Sequence, residues 1–118
     1  MSEDRLEVLL AQLREVATEI ASFIEGRSRS ELETDLLRER AVGMSLVILA
    51  ELTSKIETTS PDFAEEHPDV PWAKIRGFRN HLAHNYFGLE RDVLWDTVIL
   101  SVPALIAALE NDPPHGAA

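Results

Sequence analysis

Arginine, histidine and tyrosine come together once in this 118-residue chain, in the stretch Arg79-Asn80-His81-Leu82-Ala83-His84-Asn85-Tyr86. A guanidinium keeps its charge at any physiological pH and can clamp a phosphate through two parallel hydrogen bonds. An imidazole titrates near neutral pH and can act as general acid or base. Tyr86 adds a phenol that can be modified. Arg79 as phosphate clamp and His84 as proton carrier point to phosphodiester chemistry that needs no metal.

These residues need a helix to position them. At about 100° per residue, Arg76, Asn80 and His84 form one ladder, and Arg79 lies about 60° to its other side. Trp72, Ile75, Phe78, Leu82 and Tyr86 take the remaining apolar side. Arg79 and His84 are about 140° apart by the same rotation. A long Arg can curl toward a His at the helix end. Alternatively, the same residues of a second copy complete the pair.

The rest of the chain also reads as helical. Leu6, Leu9, Leu10, Leu13, Val16, Ala17, Ile20 and Ile24 follow three-four spacing, and so share one face. Gly26 is placed to end that helix. Ser30 with Glu33 predicts a capping box that opens a long helix reaching about Lys55 or Ile56. Within it, the segment from Ala41 to Ala50 is apolar nearly all round, which favours a central position or a subunit contact. Thr58 to Pro61 is a break, with Ser60 as N-cap and Pro61 at the first helical position of a short helix to Glu66. His67 to Pro71 should be an extended connector. The motif helix then starts near Trp72 and ends at Tyr86-Phe87-Gly88, with Gly88 suited to a left-handed cap. A last helix is expected from Glu90 to Glu110, with Leu94, Val98, Val102, Leu105 and Leu109 buried and a kink at Pro103. Residues 1–110 read as one domain and 111–118 as a flexible tail.

Composition narrows the function. The net charge of −10 argues against a general nucleic-acid binder. Yet Lys74, Arg76, Arg79 and Arg91 face only Glu90 between Pro71 and Arg91, a local +3 that leaves −13 on the remainder. A small basic patch on an acidic body suits a local phosphate site or a basic partner. With no cysteine, there is no disulfide framework and no thiolate metal site. No run of about 18 apolar residues predicts a membrane span, and the charged N-terminus is unlike a secretory signal. A cytoplasmic protein is expected.

Each candidate has a plainer reading. Arg79 could be a solvated or ion-paired residue, and His84 could only cap helix carbonyls. Tyr86 could be a core-edge residue, and Asn80 could simply hold the helix end. His81 and His84 have metal-like spacing, but no carboxylate lies between them. His67 and His115 read as loop and tail residues, and Trp72 and Trp95 as core anchors. Glu51, which interrupts the apolar run, is either part of a surface stripe or a buried charge seeking a cation, and the second reading is preferred.

The sequence resembles HEPN-domain proteins of the HepT type. Arg79, His84 and Tyr86 match the Arg-x4-His-x-Tyr motif. Arg40-Ala41-Val42, Glu51, His67-Pro68, Pro71-Trp72, Tyr86-Phe87-Gly88 and Trp95 fall in the expected order. The resemblance implies an all-α bundle of four to five helices forming a symmetric dimer, with the two motifs meeting in a cleft. It implies a metal-independent endoribonuclease toxin without a cofactor. Arg79 and His84 would be catalytic and Asn80 supporting. A minimal nucleotidyltransferase antitoxin would be the partner and would adenylylate Tyr86. One departure stands out: Ile48-Leu49-Ala50 replaces an Ile-Gly common in relatives, and bulk there could alter helix packing or the dimer seam. An alternative is a non-catalytic subunit that presents nucleotide or substrate to a transferase, which the acidic net charge favours.

Overall fold

The computed structural model describes residues 2–88 and 90–110. Among them lie four long helical runs and two short helices, with no strand. Helix α1 spans Ser2–Ile24, α2 Arg29–Glu33, α3 Leu36–Thr59, α4 Pro61–Glu66 and α5 Trp72–His84. A 3-10 turn at Tyr86–Gly88 leads to α6 (Arg91–Asp96), which continues through a π-helical turn, Thr97–Ser101, into α7 (Val102–Glu110). The expected tail, including His115, lies outside the described residues.

The helical periodicity of the sequence becomes the core. Leu6, Leu9, Leu10, Leu13, Val16 and Ile20 of α1 are buried against Val42, Leu46, Leu49 and Ile56 of α3. Leu94, Trp95, Val98, Val102, Leu105 and Leu109 close the same core from the last run. Trp95 is fully enclosed, at 0% exposure. Trp72 is only partly buried, and its indole N–H donates to the Ala64 and His67 carbonyls. Both tryptophans anchor, the first at the rim and the second at the centre. The run from Arg91 to Glu110 is long and apolar enough to cross a membrane by length and composition, contrary to the sequence expectation. Its buried stripe nevertheless packs into the shared core.

Several local expectations change. The capping box is Ser28 with Glu31, not Ser30 with Glu33. The Ser28 hydroxyl accepts from the Glu31 N–H, and the Glu31 carboxylate accepts from the Ser28 N–H. That backbone N–H foremost, and then the Ser28 hydroxyl donating to the same carboxylate at 3.0 Å, hold the Glu31 carboxyl below its ordinary range. The expected long helix is therefore two. Thr34 ends α2, and Asp35 caps α3 by accepting from the Arg38 N–H at 3.1 Å. Helix α3 runs to Thr59, past the expected end. Ser60 stands at the N-cap of α4 but makes no side-chain cap; the Pro at the first position only removes one N–H that would otherwise need a partner. His67 lies in the loop after α4, as expected, but it is buried. Its ring stacks on Phe63 and its Nδ1 lies 2.7 Å from the Phe63 carbonyl.

Gly26, at φ 72°, takes the left-handed conformation after α1, where a side chain would be strained. Gly88 does not. It closes the 3-10 turn, and a Cβ there would stand 2.2 Å from Asn85 Nδ2. A π-helical turn, Thr97–Ser101, stands just before Pro103, a wider ladder beside the residue that lacks an N–H. Arg29 ties α2 to α6 through Asp96 at 2.8 Å and Asp92 at 3.0 Å, and the Asp96 hydrogen bond leads in raising its pKa above the ordinary value.

Candidate functional site

Helix α5 carries the motif and lies antiparallel on α3. The direction follows from three contacts in order. Arg76 pairs with Glu57, Arg79 with Glu51, and Tyr86 rests on Gly43 and Glu39. Moving forward along α5 therefore means moving backward along α3. Leu82 fixes the apolar side of α5 in the core, and Trp72, Ile75 and Phe78 pack beside it. That leaves the polar positions to the surface.

Arg79 is held by a charge-assisted hydrogen bond. Its Nη2 donates to Glu51 Oε1 at 2.8 Å, with both side chains about two-fifths exposed, at 38% and 40%. Glu51 thus found the cation its sequence context demanded, but at the surface edge rather than in the interior. A guanidinium has five N–H donors, so a pair that occupies one leaves others free to face a phosphate. Arg76 is likewise tied to Glu57. His84 is exposed in the last turn of α5. Among the described residues it has no hydrogen bond or ion pair, so its ring is open to a ligand. Asn80 is exposed one turn before His84. Asn85 caps the helix end, its N–H reaching the His81 carbonyl at 2.9 Å. Arg79 and His84 both stand on α5, but five residues of rotation aim them apart. Within one chain the helix places the guanidinium against α3 and the imidazole at its own end.

Tyr86 turns inward. Its ring lies so close to α3 that a Cβ on Gly43 would sit 2.9 Å from Tyr86 Cε2. Its hydroxyl donates to Glu39 Oε2 over a long 3.4 Å. Glu39 is buried; its Oε1 is ion-paired with Arg91 Nε at 3.2 Å and its Oε2 accepts from Arg40 Nη1 at 3.4 Å. The Arg40 guanidinium also stands 5.0 Å from the Tyr86 ring centre and 5.4 Å from that of Phe87. Sequence reasoning missed Glu39 and Gly43, and placed Arg91 only in the basic patch. A glycine inside a helix costs stability relative to alanine and so hints at a close approach. No comparable signal marked Glu39.

A cavity of about 540 Å³ lies elsewhere, lined by Leu46, Leu49, Ile75, Phe78, Val93 and Leu105 among others. Arg79, Asn80, His84 and Tyr86 do not line it. Ala50, at the departure from the family pattern, is buried and faces this cavity. Among the described residues no three His, Asp or Glu side chains are grouped as metal ligands. Helix α3 also carries an uncovered apolar stripe. Leu37, Met44 and Ile48 are exposed at 84%, 60% and 40%, and with Glu51 they fall within about 60° of one another around the helix. The stripe therefore runs up to the Arg79–Glu51 pair.

Comparison with known proteins decides the family. Residues 13–111 match the family described as Ribonuclease HepT-like. The chain belongs to that family. It is 33% identical over 82 residues to the protein named "Putative RNase TTE0752" of Caldanaerobacter subterraneus, covering 70% of each chain. Over 94 residues it is 30% identical to "Probable ribonuclease HepT" of Thermococcus cleftensis, covering 79% of this chain and 86% of that one. A third relative, "Putative RNase MJ0127" of Methanocaldococcus jannaschii, is 29% identical over 111 residues, 94% of this chain and 89% of the relative. No solved structure matches the chain significantly. The matched segment takes in α3, α5 and the last helical run, and so contains every element of the site.

Proposed function

We propose that the chain is a metal-independent endoribonuclease in which Arg79 and His84, contributed across a dimer of two copies, cleave RNA. The observation that carries this reading is Arg79 held ready by Glu51 at the edge of an uncovered apolar stripe. Covering Leu37, Met44 and Ile48 with a second copy would stabilise both, and would set two motifs around one cleft. That arrangement removes the 140° difficulty, because the His can come from the other copy.

RNA supplies its own nucleophile, the ribose 2′-hydroxyl. His84 takes its proton as the oxygen attacks the adjacent phosphorus, and the bond to the 5′-oxygen of the next nucleotide breaks, that oxygen taking up a proton from solvent. Arg79 stabilises the negative charge that builds on the phosphoryl oxygens. Asn80 supports the same surface. The products are a 2′,3′-cyclic phosphate and a 5′-hydroxyl. The chain acts as a toxin in the cytoplasm, paired with a minimal nucleotidyltransferase antitoxin that silences it by adenylylating Tyr86. A phosphodiester two residues from His84 adds bulk and negative charge where RNA must enter.

The test is RNA cleavage by purified protein in EDTA, with analysis of the new ends. Cyclic phosphate ends at undiminished rate support the reading; 3′-hydroxyl ends, or cleavage lost to the chelator, overturn it. The acidic net charge favours a second reading, a subunit that presents substrate to a transferase. Tight binding to the transferase with no cleavage of any RNA selects that one.

A further inference from the structure

The seat of Tyr86 has more parts than a core-edge tyrosine needs. A phenol could rest on α3 with its hydroxyl in water. Here it is turned onto a buried carboxylate, Glu39, that two guanidinium groups also hold. A buried carboxylate is tolerated only when partnered; Glu39 holds Arg40, which stands over the phenol ring, and pairs with Arg91 through its other oxygen. Gly43 brings the ring down to the α3 backbone. The Tyr86–Gly88 turn that follows α5 is thereby pinned to α3 through one side chain.

We propose that Glu39 is a positioning residue that seats unmodified Tyr86 on α3, and that adenylylation breaks this seat and frees the Tyr86–Gly88 turn. The second half rests on the adenylylation reading above. In that reaction the phenol oxygen attacks the α-phosphorus of ATP. An O–P bond forms, the bond to the β-phosphate's bridging oxygen breaks, pyrophosphate leaves, and the phenol proton passes to solvent. The product cannot occupy the old seat. It has lost the O–H that donated to Glu39, and it carries a phosphodiester anion where the buried carboxylate already stands. The ring has no room to sink further, since it already touches α3 at Gly43. Arg40 beside the ring, and Arg91 on the other oxygen of Glu39, are both exposed; they are cations that can take the displaced phosphodiester in exchange for Glu39. Modification therefore acts on the nuclease in two ways: it charges the cleft, and it unfastens the turn that sets the position of His84.

Hydrogen exchange read by mass spectrometry tests the seat without any transferase. Glu39→Ala removes the acceptor. Gly43→Ala pushes the ring off α3 and stands in should Glu39→Ala fail to fold. In each, amides of residues 84–91 should exchange about five- to tenfold faster, the worth of a lost local contact, while α1 is unchanged. Exchange as slow as wild type in both variants overturns the seat. The wild-type chain is then treated with the nucleotidyltransferase of the proposed pair and ATP. Tyr86 is the chain's only tyrosine, so the modified peptide is unambiguous. Modified protein should show the same fast exchange over 84–91; modified protein that still exchanges slowly overturns the release. If no AMP reaches wild type or variants, the adenylylation reading falls and the release with it. The seat, read from the unmodified chains, is judged separately.

Discussion

Glu51→Ala removes the carboxylate that faces Arg79 and leaves a good helix former in its place. The two side chains meet at 2.8 Å but are each about two-fifths exposed. Solvent screens such a pair, and exposed ion pairs are worth about 0–1 kcal/mol. Unfolding should therefore shift by less than about 1 kcal/mol, or no more than about 5 °C in Tm. Activity should respond far more. Once untethered, the guanidinium samples many rotamers, and misplacement by about 1 Å can cost about a hundredfold in rate. Cleavage of RNA under single-turnover conditions should fall by about ten- to a hundredfold. Because Glu51 acts through Arg79, the double variant Glu51→Ala with Arg79→Ala should be no slower than Arg79→Ala alone, the non-additivity of groups acting as a unit. Unchanged cleavage in Glu51→Ala refutes the positioning argument. So does a double variant much slower than the single Arg79→Ala.

Further outcomes follow from the same structure. Trp95→Ala, at a fully enclosed site, should cost about 3–5 kcal/mol in urea unfolding; a loss under about 1 kcal/mol would mean the core closes elsewhere. Ile48→Glu should break self-association, read by sedimentation, with helix content unchanged in circular dichroism, because Ile48 is open in the single chain. Ser28→Ala tests the cap through pH. The Glu31 carboxyl is held below its ordinary value by hydrogen bonds from the Ser28 backbone and hydroxyl. Its stabilisation is therefore complete above the ordinary carboxylate pKa and is lost as pH falls through the depressed one. The stability gap between wild type and Ser28→Ala should be larger at neutral pH than in acid, and a gap that does not narrow in acid contradicts this.

How much of this could be read in the sequence depends on the range of the interaction. The buried faces of α1 and the last run follow from three-four spacing alone, and Leu94, Val98, Val102, Leu105 and Leu109 are all buried as expected. Gly26 ended its helix because a local backbone requirement, positive φ, left few residues able to meet it. The cap was shifted from Ser30 to Ser28 because both serines have a Glu three residues on, and only the turn after Gly26 selects between them. Gly88 misled for a similar reason: Asn85, not a left-handed glycine, stops α5. At the site, the motif residues were legible because they are contiguous. Their partners were less so. Glu51 announced itself by breaking an apolar run, whereas Glu39 sits among other charged residues at the start of α3 and lies 47 positions from Tyr86. Long-range pairings of that kind become visible only once α5 is laid antiparallel on α3.

The most direct measurement is the rate of RNA cleavage by wild type, Arg79→Ala and His84→Ala, prepared identically and compared after circular dichroism shows each to be folded. A general base contributes about 10²- to 10⁴-fold, and a single charge-stabilising donor about 10²- to 10³-fold. Wild type should cleave, and each variant should be slower by at least about a hundredfold. Equal cleavage by all three would contradict the assignment of the chemistry to Arg79 and His84.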